Sequence, residues 1–259
     1  LPTVLDEVSK VMSDPDCSME DVAKVINYDQ VLSAKVLRMV NSPIYGLTGT
    51  VSSVQHALVL LGFNVIRGII VSTSVFDAMI NTMAGLWEHS MGCAMAAGEI
   101  AKAAGLKDPD EYAVAGLLHD LGKVVTSVQL PEAVEQVQQL VQEQDITYRE
   151  AELEVLGIGH DRVNLWLAEH WNLPWNVRVG MASHHAPQSA EHYPEMASVI
   201  HIGDFLVRLF EYGDAGDDNV PYLHPQAVKL LKLNFKTLTV VMDKLSDRFA
   251  ELSGLSFVG

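Results

Sequence analysis

Asp108-Pro109-Asp110-Glu111-Tyr112-Ala113-Val114-Ala115-Gly116-Leu117-Leu118-His119-Asp120-Leu121-Gly122 reads as one punctuated helix that delivers a polar pair at its end. Aspartate at the N-cap, proline at the first helical position and glutamate two residues later suit a terminus whose first N–H groups lack helical partners. The pattern predicts a helix through Ala113, Leu117 and Leu118 to His119 and Asp120, ending near Gly122. Side chains one residue apart on a helix diverge by roughly 100°. At a helix end, an imidazole and a carboxylate so placed can both reach a pocket lying beyond the terminus.

Helical punctuation continues on both sides. Pro131 opens a further helix, and Thr147-Tyr148-Arg149-Glu150 has the spacing of a capping box. Helices are predicted over 160–171, 174–183 and 195–212. Upstream, Val4, Val8 and Val11, then Val22, Val25 and Ile26, then Leu32, Val36, Leu37 and Val40 recur at helical intervals. Residues 16–21 form a turn entering a helix. Asn41-Ser42-Pro43 stops one, because the residue before proline is pushed out of the α region. Gly46 and Gly49 make a loop before a helix that Ser52 or Ser53 caps. Downstream, Gly213-Asp214-Ala215-Gly216-Asp217-Asp218-Asn219 reads as a solvated loop, followed by one or two amphipathic helices between Pro225 and Leu252. No convincing strand alternation or tandem repeat appears. The expectation is an all-α, multi-helix bundle in three parts: an N-terminal helical subdomain over 1–80, a helical core over 81–212, and a C-terminal loop and helices over 213–259.

Composition narrows the functional classes. Of 259 residues, 49% are hydrophobic and 19% charged, a balance that supports a core and argues against disorder. Net charge is −16, and the 17 basic residues form no run, so direct nucleic-acid binding is not expected. Cys17 and Cys93 make no C-x-x-C motif and no disulfide framework. The most apolar stretch, Val54 to Phe76, is broken by His56, Asn64 and Arg67, so no membrane span is expected. No signal peptide is visible, and cytoplasmic localisation is the default expectation. The chain starts at Leu1 rather than a methionine, which leaves room for native residues upstream.

Ten histidines are present, and five stand in contexts that invite a metal: His89, His119, His160, His184 and His185. Asp120 and Asp204 join them. Imidazole and carboxylate suit first-row divalent metals such as Fe, Mn, Ni or Zn. A carboxylate can bridge two ions through its two oxygens. Taken singly, each residue is better read as an ordinary packed or surface group. The ordered set is different, because it runs His, His-Asp, His, His-His, Asp within one helical region. Small residues around it, Gly92, Ala94, Ala96, Ala97, Gly98, Ala115 and Gly116, would let helices approach closely. Lys123, four residues after His119 and three after Asp120, falls on the same face if the helix continues. It reads equally as a cation for a substrate phosphate or as a lysine favoured at a helix C-terminus. His201, one turn before Asp204, reads as a packed or supporting histidine. His56, His170, His192 and His224 read as structural or solvated.

The ligand series resembles that of the HD superfamily of metal-dependent phosphohydrolases, and His119-Asp120-Leu121-Gly122-Lys123 is similar to its H-D-x-G-K stretch. The first region resembles the HDOD branch. Asp29-Gln30-Val31-Leu32, Leu37-Arg38-Met39-Val40-Asn41-Ser42-Pro43 and Ala57-Leu58-Val59-Leu60-Leu61-Gly62 match its D-P-x-L, L-x-x-x-N-S and A-x-x-x-L-G patterns, with a departure at Gln30. The resemblance covers most of residues 1–210. It implies an HD-type helical bundle in which His89, His119, Asp120 and Asp204 hold one metal. Asp120 then bridges to a second ion held by His160, His184 and His185, with His185 alternatively supporting a ligand from outside. Two ions are implied, with Fe or Mn favoured over Ni or Zn.

Many HDOD domains have lost ligands and act in signalling, whereas every position of the pattern is filled here. The resemblance therefore implies a signalling or regulatory protein with a dinuclear centre, with Asp120 and Lys123 as candidate catalytic residues. Two cations clamp phosphoryl oxygens and acidify a bound water, which makes a nucleotide-like phosphoester the leading substrate class. The alternative is a non-catalytic scaffold that binds a protein partner through its first region and retains a structural or vestigial metal site. Ala186-Pro187-Gln188 after His184-His185 lacks the Gly-Tyr-Pro of the cyclic-dinucleotide-cleaving branch, and di-iron oxygenase chemistry is a third possibility.

Overall fold

The computed structural model describes residues 3–12, 14 and 16–253. Fourteen α-helices and one 3-10 turn carry the chain, with no strand among the described residues. The first four are α1 (Thr3–Met12), α2 (Met19–Tyr28), α3 (Gln30–Val40) and α4 (Val54–Thr82). The centre of the molecule is built from α5 (Leu86–Ala103), α6 (Pro109–Leu118) and α7 (Leu121–Gln129). Then follow α8 (Pro131–Gln144), α9 (Tyr148–Val155), α10 (His160–His170), α11 (Trp175–Ser183) and, after a 3-10 turn over Pro187–Ser189, α12 (Pro194–Leu209). Two helices close the chain, α13 (Pro225–Leu230) and α14 (Phe235–Ser253); residues 254–259 of the expected C-terminal segment lie outside the described residues.

Several termini form for the reasons the sequence suggests. Ser18 caps α2 in a capping box with Asp21, and Thr147 with Glu150 does the same for α9. Ser53, rather than Ser52, caps α4 by accepting from the His56 N–H. Helix α3 stops at Asn41, whose amide donates to Leu37 O and Val51 O at 2.8 Å and accepts from Val51 N at 2.7 Å. One asparagine thus ends a helix and pins the loop that follows.

The start of α6 departs from expectation. Asp108 adopts a left-handed backbone (φ 51°) and makes no capping hydrogen bond. Glu111 instead accepts from Asn64 of α4 at 2.7 Å and from Asn176 of α11 at 2.6 Å, so its carboxylate ties three helices together. The helix also ends earlier than predicted: α6 stops at Leu118, His119 and Asp120 occupy a turn, and α7 begins at Leu121.

Helix α4 is long and apolar enough to cross a membrane, with mean hydropathy 1.9 over its most apolar window. It is, however, bent at Gly62 (φ 77°, ψ 171°), and Val65, Ile66, Ile69, Ile70 and Val71 are buried in the core. Its polar residues join it to the rest: Arg67 donates to Asn172 O at 2.5 Å and to Met12 O at 3.2 Å. One continuous cluster of buried apolar side chains runs from Val8 through α4, α5 and α6 to Phe249 in α14.

Helices α5 and α6 approach closely where they cross. A Cβ on Gly116 would stand 2.6 Å from Cys93 O, so only glycine permits the approach that sets His119 against α5.

Candidate metal centre

Helix α5 supplies His89 from its first turns and Cys93 one turn later. The α6–α7 turn supplies His119 and Asp120, the start of α10 supplies His160, the end of α11 supplies His184 and His185, and α12 supplies Asp204. Asn164 of α10 holds the central turn in place. Its amide donates to His119 O and to Met181 O, and its oxygen accepts from Gly122 N at 2.6 Å.

All seven residues singled out in the sequence converge. Around His89 Nε2 stand His119 Nε2 at 3.3 Å, Asp204 Oδ1 at 3.2 Å and Cys93 Sγ at 3.5 Å. A second group is formed by His160, His184 and His185, with the Nε2 atoms of His160 and His185 2.9 Å apart. Asp120 lies between the groups. Its Oδ2 is 3.4 Å from His119 Nε2 and 3.6 Å from His89 Nε2, and its Oδ1 is 3.1 Å from His160 Nε2 and 3.8 Å from His184 Nε2. One carboxylate oxygen thus faces each group. Six of the seven are buried, and His185 is half-buried.

The imidazoles are held by their far nitrogens. His119 Nδ1 lies 2.7 Å from Gly116 O, and His184 Nδ1 lies 2.9 Å from Met181 O. A carbonyl can only accept, so in each neutral ring Nδ1 carries the proton and Nε2 presents a lone pair to the centre. His160 Nδ1 meets the buried carboxylate of Glu152 at 2.6 Å. These are the tautomers that metal-bound histidines need. Asp120 Oδ1 and His184 Nε2 are buried with no hydrogen-bond partner, the 3.1 Å approach to His160 being too poorly directed to serve as one. A buried polar atom left so costs about 1–3 kcal/mol unless something binds it. Donor set, tautomers and unpaired atoms all fit divalent transition metal.

Protonation preferences in the protein alone follow from the same geometry. Burial would raise Asp120, but His119, Lys123 and His160 hold it well below the carboxylate range. Asp204 is likewise held low, against burial, by Arg208 and His89. Burial would lower His119, yet Asp120 and Cys93 lift it well above the histidine range. His184 and His185 are driven well down by burial and by neighbouring imidazoles.

Lys123 does not stand at a helix C-terminus. It lies in the first turn of α7, where the helix dipole disfavours a cation, and it is fully buried. Its ammonium donates to Asp120 Oδ2 at 2.7 Å and Ala215 O at 2.8 Å, and it lies 5.3 Å from the centre of the Tyr148 ring. Asp120 accounts for its placement.

The segment 213–219 is a loop, but part of it is packed rather than solvated. Ala215 is buried, and the Asp217 side chain is 1% exposed. Asp217 accepts from Arg208 Nη1 and from Tyr148 N, both at 2.9 Å, while Arg208 Nε donates to Asp204 Oδ1 at 3.1 Å. The loop therefore closes over α5 and α12. A cavity of about 450 Å³ reaches His89 under it, lined by Arg208, Glu211, Asp214, Asp217 and Asp218.

Residues the sequence did not single out complete the centre. Cys93 follows His89 by four positions on one helix face, a spacing visible in the sequence. Arg208, four positions after Asp204, offered the same spacing, whereas Glu152 and Asn164 gave no such signal, because their partners lie beyond the reach of helical periodicity. His201 braces the site: its Nδ1 faces His184 O at 2.7 Å and its Nε2 accepts from His224 N at 3.0 Å. His56, His170 and His192 are exposed, and His224 caps α13.

The HDOD domain family model matches residues 1–187. An uncharacterized protein of Treponema pallidum is 26% identical over 227 residues, covering 85% of this chain but only 44% of its own length, so the chain spans less than half of that relative. Among solved structures, an HDOD domain protein of unknown function from Geobacter sulfurreducens superposes with TM-score 0.77 at 26% identity, over 100% of this chain and 93% of that one. A provisionally assigned phosphohydrolase from Shewanella amazonensis gives TM-score 0.72 at 22% identity over 95% and 89%. A provisionally assigned signal transduction protein from Marinobacter aquaeolei gives 0.74 at 21% over 98% and 58%. The matched residues, the helical architecture and the shared fold agree, and the chain belongs to the HDOD domain family.

Proposed function

We propose that this chain is a metal-binding HDOD regulatory module whose buried centre takes two divalent transition-metal ions and whose output is contact with a partner protein rather than turnover. His89, His119, Asp120 and Asp204 would hold one ion. Asp120, His160, His184 and His185 would hold the other. The observation that carries metal binding is the set of fixed tautomers, with His119 and His184 bonded through Nδ1 to carbonyls and aiming Nε2 at the carboxylate of Asp120.

Electrostatics weigh against turnover. In the metal-free protein Lys123 is fully buried and engaged by Asp120, and Arg208 is engaged by Asp204 and Asp217, so both serve as counter-charges to buried carboxylates rather than facing a phosphate. The cavity reaching His89 carries Glu211, Asp214, Asp217 and Asp218 on its walls. Before any ion is bound, carboxylates there repel an anionic ester and favour a cation.

Phosphoester hydrolysis is the second reading, favoured by the complete ligand set and by the two oxygens of Asp120 facing two groups. The ions, when bound, would supply Lewis acidity and charge neutralisation. The test is to assay chelated and metal-reconstituted protein against phosphomonoesters, phosphodiesters and nucleotides. No turnover above the chelated control supports the regulatory reading. Metal-dependent turnover that is lost in Asp120→Ala replaces it with the hydrolytic one.

A further inference from the structure

The geometry points to Cys93 as a thiolate ligand of the ion held by His89, His119 and Asp204, which makes that position a mixed nitrogen, oxygen and sulfur site. This rests on the metal-binding reading above and adds to it a donor of different chemistry. The donor atoms of His89, Cys93, His119 and Asp204 all lie within 4.8 Å of one another. Tetrahedral donors at zinc–nitrogen distances of about 2.0–2.1 Å stand roughly 3.3–3.4 Å apart, and a sulfur at about 2.3 Å stands roughly 3.6 Å from such a nitrogen. From His89 Nε2 the observed separations are 3.3 Å to His119 Nε2, 3.2 Å to Asp204 Oδ1 and 3.5 Å to Cys93 Sγ. The three separations from His89 match ligands around one small cation, while His119 Nε2 and Asp204 Oδ1 stand wider apart at 3.9 Å. Asp120 Oδ2, 3.4 and 3.6 Å from the two histidines, stands where a fifth donor would.

A buried cysteine is more often a small apolar packing residue, and α5 has several positions of that kind, Ala94, Ala96, Ala97 and Ala101 among them. Cys93 differs in what its side chain meets. Its backbone carbonyl takes the close approach of Gly116, while its sulfur turns to the imidazoles of His89 and His119. Thiolate is a soft donor. It biases the position toward Zn(II), Fe(II) or Co(II) and against Mn(II) or Mg(II), which prefer oxygen. The second position, with three imidazoles and a carboxylate oxygen, carries no such bias. The two ions are therefore chemically distinguishable.

Cobalt(II) is the probe. The chelated full chain, carrying Cys17→Ser so that Cys93 is the one thiol, is titrated with Co(II) under anaerobic conditions and followed optically. The expected result is a near-ultraviolet sulfur-to-cobalt charge-transfer band together with visible ligand-field bands. Adding Cys93→Ser should abolish the first while keeping the second. Competition against a chelator should show Zn(II) affinity lowered at least about tenfold by Cys93→Ser, the smaller end of what even supporting residues contribute. Mn(II) affinity should change little. Ligand-field bands without the charge-transfer band, or a band that survives Cys93→Ser, would overturn the thiolate assignment while leaving the metal centre standing. Failure to take up any Co(II) would overturn both.

Discussion

The ammonium of Lys123 lies 2.7 Å from Oδ2 of Asp120, and both side chains are shut off from solvent. A lysine so placed is the counter-charge of the carboxylate in the metal-free protein. Breaking such a buried pair from one side costs about 3–5 kcal/mol, because the other charge remains buried. Lys123→Met should therefore destabilise chelated protein by about that amount in urea unfolding. Reconstitution with metal should narrow the gap, since a cation then faces the same oxygen. Equal stability of the two chelated proteins would remove Lys123 from this role.

Glu152 sits 2.6 Å from His160 Nδ1 and also accepts from His160 N at 2.8 Å. Carboxylates behind a ligating histidine fix its orientation and raise its basicity, and losing one typically costs 10–100-fold in metal affinity. Glu152→Ala should weaken one of the two ions by about that factor and leave the other. Glu152→Gln, which keeps an accepting oxygen, should recover part of the loss. Equal weakening of both ions would point to general destabilisation instead.

The chelated protein should be most stable near pH ~6.5, the ordinary value for histidine. His184 and His185 are lowered by burial and by neighbouring imidazoles, so the stability they contribute is present above that pH and lost as pH falls. Burial opposes the shifts of His89, His119 and His160, but Cys93, Asp120 and Glu152, respectively, lead the effects that raise them. Their contribution is present below that pH and lost as pH rises through the folded values. Metal binding requires deprotonated ligands, so loaded protein should hold its Tm on the alkaline side. Thermal melts across pH, with and without chelator, check this; a flat chelated profile contradicts it.

Gly213 is the latch of the loop. Its φ is 75°, and a Cβ there would stand 2.2 Å from His89 N. Gly213→Ala should cost about 1–3 kcal/mol and speed extraction of metal by chelators, because the loop must lift from α5. Unchanged extraction kinetics would mean that access does not run beneath the loop.

Much of this was legible in the sequence because it is local. Helix periodicity, the capping box at Thr147 and the break at Asn41 depend on neighbours within a few residues. The histidine and aspartate series was readable because residue chemistry restricts what can ligate a metal. Asp108 misled for a related reason: the dipeptide Asp-Pro favours capping, but the bonds of Glu111 to Asn64 and Asn176 are long-range and determine how α6 starts. The segment 213–219 looked solvated from its aspartates and glycines. Its packing depends on Arg208 and Tyr148, which are remote from one another in the chain. Cys93, four residues after His89, and Arg208, four after Asp204, were the legible omissions.

The central claim is that Asp120 joins two metal positions, and elemental analysis of protein purified without added metal or a histidine tag tests it most directly. The account predicts about two equivalents of transition metal per chain in the native sequence and loss of most of it in Asp120→Ala, with helical content by circular dichroism largely retained. A native protein free of metal even after anaerobic reconstitution, or an Asp120→Ala variant with undiminished metal content, would contradict it.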